Sequence, residues 1–290
     1  MAHLRTNPRH LAVLALLAAL PSCGGRSAPS AIRSPSPTAA PPSAVAASPS
    51  SVVSPAATVA RAVYYLHDTG KGLRLYREFH RRPATAGVVR DAVTAMLTEK
   101  ATDADYTSLW PSATTVRGAR ISGTTAYVDL SAAARRGSSG AEGEATSLQQ
   151  LVYTVTAAAP AVKAVHLLVE GKPVESLWGH VDTRSPLTRQ SPAEVLGPVW
   201  ILTPADGRVA RGGTFGGDAT VFEGTVSWEL VQGDKVVQKG SSQASVGAPG
   251  RGPWSAKADV PAGSYVLRAF ESSAEDGRPT FVDDKPLTVR

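Results

Sequence analysis

Among 290 residues there is one cysteine, Cys23, in the stretch Leu20-Pro-Ser-Cys-Gly-Gly25. A lone thiol forms no internal disulfide and no thiolate metal cluster, so its chemistry is either modification or burial. The next group able to act chemically is a run of cations, Lys71, Arg74, Arg77, Arg81 and Arg82. It reads in two ways, as a contact for an anionic partner or as a solvated edge strand whose charges oppose aggregation. Glu142 and Glu144 lie in the Gly/Ser-rich run RRGSSGAEGE. Glycan hydrolysis needs two carboxylates facing one cleft, one with a raised pKa, and a loop holds neither in place. Asp129-Leu-Ser131 pairs an acid with a hydroxyl at a strand end, where the serine is expected to cap the following turn. Asp103-Ala-Asp105 lacks the further oxygen ligands and the glycine of a calcium loop, and is expected to be a solvated loop. His67, His80, His166 and His180 are too far apart for metal-ligand spacing. Residues 208–217, RVARGGTFGG, are glycine-rich but open no helix that would cradle a phosphate; a mobile hairpin is expected. With no G-x-S-x-G, H-E-x-x-H or P-loop in the chain, no metal and no cofactor are expected.

The surroundings of Cys23 give it a role. Residues 1–10 are polar with two arginines, and residues 11–20, LAVLALLAAL, are uninterruptedly apolar. That is an export signal, too short for the roughly 20 apolar residues of a membrane span. Leu20-Pro21-Ser22-Cys23 resembles the bacterial lipobox. The resemblance implies a diacylglyceryl group on the thiol and cleavage after residue 22, and two acyl chains make a stable anchor. Residues 23–59 are dominated by Ser, Ala and Pro with almost no charge. Such a tract buries too little apolar surface to fold. As a tether it reaches roughly 35 Å as a coil and about 110 Å fully extended.

Residues 60–189 alternate between β-rich runs and helical periodicity. Strands are expected at 61–66 and 73–79, and a helix between 85 and 100 on the spacing of Val89, Ala92, Val93, Met96 and Leu97. Two strands at 114–121 and 124–130 follow, then a helix carrying Leu148, Leu151, Val152 and Val155 with Pro160 past its end, then a strand at 162–169. The order ββαββαβ predicts an α+β domain, a mixed sheet with both helices on one side. The pieces Val63-Tyr-Tyr-Leu66, Leu109-Trp-Pro111, Ala126-Tyr-Val-Asp-Leu-Ser131, residues 148–154 (LQQLVYT) and Pro186-Leu-Thr-Arg189 resemble the GerMN domain of sporulation and germination proteins and of actinobacterial surface lipoproteins. The resemblance implies a non-catalytic module that serves in assembly at a membrane.

Residues 190–290 change texture to short strands separated by Gly, Pro or Asp turns. Strands are expected at 199–202, 218–222, 225–231, 235–241, 255–260, 265–270 and 281–289. Seven strands in so short a span predict a β-sandwich with Trp228 in its core. Pro198-Val-Trp200, Thr203-Pro204, residues 222–228 (FEGTVSW), Gly247, Trp254, Gly263 with Tyr265, and Asp276-Gly277 resemble the immunoglobulin-like domain that accompanies GerMN in spore germination proteins.

Net charge is +6 overall, +4 over residues 61–189 and −2 over 190–290. Spread this thinly, the charge argues against nucleic acid. The expected protein is an exported lipoprotein on the extracytoplasmic face of the cell membrane. It would touch the lipid bilayer through Cys23 and bind a protein partner or wall polymer without catalysis. A wall hydrolase using Glu142 and Glu144, and an accessory sensor for a membrane kinase, are the alternatives.

Overall fold

Val63-Tyr-Tyr-Leu66 is apolar without alternation, as a strand covered on both faces must be. In the computed structural model, which describes residues 58–84 and 87–290, this run is the buried centre of β1 (Thr58–Asp68). The expected export segment, Cys23 and most of the expected tether lie outside the described residues. β1 forms an antiparallel hairpin with β2 (Leu73–Pro83). Their turn is closed by Asp68, which accepts from Gly70 N, and by Thr69, which donates to the Gly72 carbonyl. Helix α1 (Val88–Thr98) buries Val89, Ala92, Val93 and Met96, the spacing seen in the sequence.

β3 (Val116–Ser122) and β4 (Thr125–Leu130) pair antiparallel around Gly123. Helix α2 (Ala141–Ala158) returns the chain to β5 (Ala164–Val169), which runs parallel to β4. The short β6 (Lys172–Pro173) and β7 (Leu187–Thr188) both pair with β5. The order is the one read from the sequence, but the strands form two sheets, the hairpin and the β3–β7 sheet. The hairpin stands apart because α2 occupies the free edge of β1. Thr154 Oγ1 accepts from Tyr64 N at 3.3 Å and Gln150 donates to the Tyr64 carbonyl at 2.7 Å. Polar residues of a helix thus complete the backbone bonds that a further strand would otherwise supply.

After the single turn α3 (Pro192–Val195) the second lobe begins. One of its sheets contains β8 (Val199–Thr203), β10 (Thr214–Ala219) and β13 (Gly252–Lys257). The other contains β9 (Arg208–Val209), β11 (Thr225–Gln232), β12 (Lys235–Gln243), β14 (Gly263–Ser272) and β15 (Pro279–Val289). Trp228 is buried on β11, between β12 and β14, edge-on to Phe215 at 5.2 Å. Residues 208–217 are not a hairpin. β9 pairs parallel with β15 while β10 begins at Thr214 in the opposite sheet, so this segment crosses the sandwich. The expected strand at 218–222 accordingly starts four residues earlier. Gly217 permits it, since a Cβ there would stand 1.8 Å from the Trp200 carbonyl oxygen.

Two hydrophobic cores share one strand, β8. Val199 and Ile201 point into the sandwich, and Trp200 and Leu202 pack into the core of the first lobe. Period-two alternation sends neighbouring side chains to opposite faces, so four consecutive apolar residues knit the lobes together. The described residues accordingly form one compact unit.

Candidate functional site

β8 also builds the junction between the lobes. Trp200, 1% exposed, donates through Nε1 to the Leu75 carbonyl of β2 at 3.2 Å. The guanidinium groups of Arg251 and Arg77 lie 4.0 and 5.0 Å from its ring, and such cation–π contacts strengthen when desolvated. Arg77 completes its pairing on Asp218 of β10 at 2.7 Å, and Arg251 donates to the Gly197 carbonyl at 2.6 Å. Burial pulls Arg251 down to about 10, against the raising effect of Asp218, so it stays charged at neutral pH. Backbone joins in: Gly197 N donates to the Leu75 carbonyl.

A second polar cluster lies beside it. Asp283 projects from β15 and is 2% exposed. Its carboxylate accepts from the Tyr106 hydroxyl at 2.7 Å and from Ile201 N on the unpaired edge of β8. Burial pushes Asp283 up to about 7, although Lys285 and these two donors oppose the rise. Lys285, two residues along the same strand, reaches Asp103 and Glu78 of the first lobe at 3.7 and 3.8 Å. Burial would raise Glu78, but His80, Thr102 N, Asp103 N and Lys285 outweigh it and hold Glu78 below its ordinary value. Asp103 is raised, chiefly by burial. A cleft of about 220 Å³ opens between these groups and Phe79, Pro204 and Pro286. That is below the usual 300 Å³ of a small-molecule site. Its acids are already engaged as acceptors or beside an ammonium, so the cluster acts as a latch between lobes.

Comparison with known families divides the chain at the same junction. Residues 62–175 match the Germane family, sporulation and spore germination, and residues 198–278 match the immunoglobulin-like domain of bacterial spore germination. The chain carries a Germane domain followed by a spore-germination immunoglobulin-like domain. Among solved structures it is similar to the tandem GerMN domains of the sporulation protein GerM from Bacillus subtilis, at 16% identity and TM-score 0.40. That match covers 70% of this chain and 62% of the other. The first GerMN domain of the same protein gives 21% identity and TM-score 0.36, covering 46% of this chain and 98% of the other. No curated protein matches the chain.

The basic run on the Germane hairpin is divided by the fold. Arg77 is drawn into the junction and Arg82 pairs with Glu99. Arg74 donates to the Leu73 carbonyl, Lys71 sits 5.2 Å over the Phe281 ring, and Arg81 is exposed. The five cations therefore do not share one face. Glu142 and Glu144 belong to the first turn of α2, not to a loop, because the helix begins at Ala141, seven residues before its first expected apolar position, Leu148. Both work as backbone acceptors. Glu142 takes Leu73 N at 2.8 Å, and the fully buried Glu144 takes Leu177, Trp178 and His180 N–H and the Ser176 hydroxyl. Burial alone would raise Glu144; these four donors outweigh it and lower it.

Other expectations also change. Asp103 is buried at the junction instead of lying in a solvated loop, its Oδ1 accepting from Asp105 N. The Ser131 hydroxyl accepts from Thr115 N and does not cap the turn that follows, and Asp129 accepts from Gly171 N. His67 packs on Tyr76 and Tyr106, His80 bonds the Tyr65 hydroxyl at 2.9 Å, His166 packs at a tilt against Tyr127, and the His180 backbone N–H donates to Glu144. Among the described residues no group of three His, Cys, Asp or Glu could hold a metal, and no helix is long and apolar enough to cross a membrane. Sequence reasoning missed Asp283, Lys285, Glu78 and Arg251. For Asp283 a signal existed: it shares strand parity with the buried Leu287 and Val289.

Proposed function

We propose that this protein is a lipid-anchored display module, holding a non-catalytic binding body at the extracytoplasmic face of the membrane for envelope assembly of the sporulation or germination type. The observation that carries this reading is the latch itself. Trp200, Arg251 and Asp283 fix the two germination-type domains to one another, so a partner meets one surface of constant shape. Preorganisation of this kind lowers the cost of binding. The lipobox-like Cys23 and the nearly uncharged tract after it supply an anchor and a leash of tens of ångströms. In Glu142 and Glu144, the pair considered for hydrolysis, the carboxylates are committed to backbone N–H groups, which favours binding over chemistry.

The test is crosslinking of the full-length anchored protein in cells, followed by mass spectrometry of what it captures. An envelope protein or wall polymer recovered with the wild type, and lost when the chain is released from the membrane, is the expected result. Turnover of wall material by the purified full-length protein would overturn the reading.

A further inference from the structure

The latch leaves another face of the immunoglobulin-like lobe unexplained, around Phe222 and Phe281. Along the β14–β15 ladder, Ala269 pairs with Asp283 and Glu271 with Thr280, so Phe281 and Val282 together oppose the single residue Phe270. This is a β-bulge, and its first residue, Phe281, has φ +52°. Glycine is the usual occupant of that position, and a bulky side chain there is a steric outlier. Glu223, the only other positive-φ non-glycine residue among those described in this lobe, has φ +51° and lines the same groove. Strain of this kind collects at functional sites, where the fold holds a side chain in an otherwise unfavourable place.

What the strain holds is an exposed aromatic surface. Phe222 is 74% exposed, yet its backbone is pinned, with Phe222 N donating to Glu271 at 3.1 Å and Gln243 donating to the Glu223 carbonyl. The Phe281 ring lies under the Lys71 ammonium at 5.2 Å. Between the two rings is a groove of about 440 Å³, whose polar lining includes Ser227 and Ser272, 2.9 Å apart, and the carboxylates of Glu223 and Glu271. A second cleft of about 310 Å³ shares Lys71, Thr280 and Phe281 and continues to the hairpin turn of the Germane lobe. Both volumes fall in the range of ligand sites.

We propose that this groove binds a neutral saccharide chain, the glycan strand of the cell wall. Phenyl faces match the apolar C–H face of a pyranose ring. Carboxylates and serine hydroxyls match its hydroxyl groups, the carboxylates as acceptors and the serines as donors and acceptors. The alternatives fit less well. β11 and β14, the strands that carry Ser227, Glu271 and Ser272, are each paired on both sides, so this floor offers no free strand edge to a peptide; β15 meets β9 only at Thr288 and Val289. Two carboxylates against one ammonium disfavour a phosphate polymer. Continuation past Phe281 onto the other lobe favours a chain over a single sugar. The proposal rests on the display reading for the source of the glycan, while binding itself does not depend on location.

The experiment is calorimetric titration of full-length protein in detergent with N-acetylglucosamine tetramer and hexamer. The hexamer should bind more tightly than the tetramer, and Phe222→Ala or Glu223→Gln should weaken it tenfold or more, while the exposed Val237→Ala on β12 leaves it unchanged. Phe281→Gly should lose binding with a melting temperature equal to or above wild type, because glycine relieves the left-handed backbone. Absence of wild-type binding, unchanged affinity in Phe222→Ala, or preference for a phosphate polymer over the hexamer would each overturn the proposal. Membrane retention and protein crosslinks should survive Phe222→Ala. Their loss in the wild type with saccharide binding intact would sink the display reading alone.

Discussion

Tyr106 and Asp283 stand 177 residues apart in the chain and meet at 2.7 Å inside the junction. Neither group has water to turn to: burial drives Asp283 up to about 7 and Tyr106 well above its ordinary value. A carboxylate at the seam of two lobes thus ties their association to its own proton.

That proton sets a pH dependence with a definite sign. Asp283 holds its proton in the folded state up to about 7, whereas in the unfolded chain it releases it near 4. Between these values the native state binds more protons, so the stability from this group is full below about 4 and falls by about 1.4 kcal/mol per pH unit until about 7. Lys285, Tyr106 and Asp103 are the charged or titratable groups around it. Glu78 and Glu144, both lowered, act oppositely, and their contribution is lost only on acidification below the ordinary carboxylate range. Melting temperature should therefore be higher at pH 5 than at pH 8, and Asp283→Asn should shrink the difference. An unaltered difference in that variant would contradict the assignment.

Removing the ring between the arginines should uncouple the lobes. Trp200→Ala opens a cavity and leaves the Leu75 carbonyl with only Gly197 N of its two junction donors, a loss of about 3–5 kcal/mol. Arg251→Ala should cost about 1–2 kcal/mol through the ring contact and the bond to Gly197. Urea unfolding followed by tryptophan fluorescence and by circular dichroism should coincide in the wild type and separate in Trp200→Ala.

The two glutamates of α2 should differ in proportion to what they hold. Glu144→Ala leaves three backbone N–H groups and a hydroxyl without their acceptor, costing about 3 kcal/mol or more. Glu142→Ala gives up one exposed bond to Leu73 N, about 0.5–1.5 kcal/mol. Urea midpoints measure this, and equal shifts would show that the loop at residues 176–180 is held by something else.

Cys23→Ala should leave the folded body unchanged and move the protein from the membrane fraction to the soluble fraction. Fractionation after a high-salt wash reads the outcome directly; retention of the variant would refute the anchor.

How much of this was legible in the sequence follows the range of the interactions. The ββαββαβ order, the apolar face of α1 and the core position of Trp228 are periodicity effects, set by neighbours a few residues apart. The split into two sheets was hidden, because it depends on Gln150 and Thr154 reaching β1 across 86 and 90 residues. The start of α2 was obscured because Gly140, Gly143 and the serines read as a loop, and only Glu144's acceptor role shows why they wind into a helix. Arg77 and Arg251 carried no local signal for their shared ring. The run Val199-Trp-Ile-Leu202 did carry one, since four apolar residues without alternation imply that both faces are covered.

A chain is made from its N-terminus, and the strand shared by the two cores gives that fact consequences in time. Residues 58–190 can collapse early, but they wait for Trp200 to fill their core and for Asp283 to accept the Tyr106 hydroxyl. Until residue 283 has been delivered, the first lobe is a mould without its stopper. The described residues therefore take their final shape late, only once both lobes have been made.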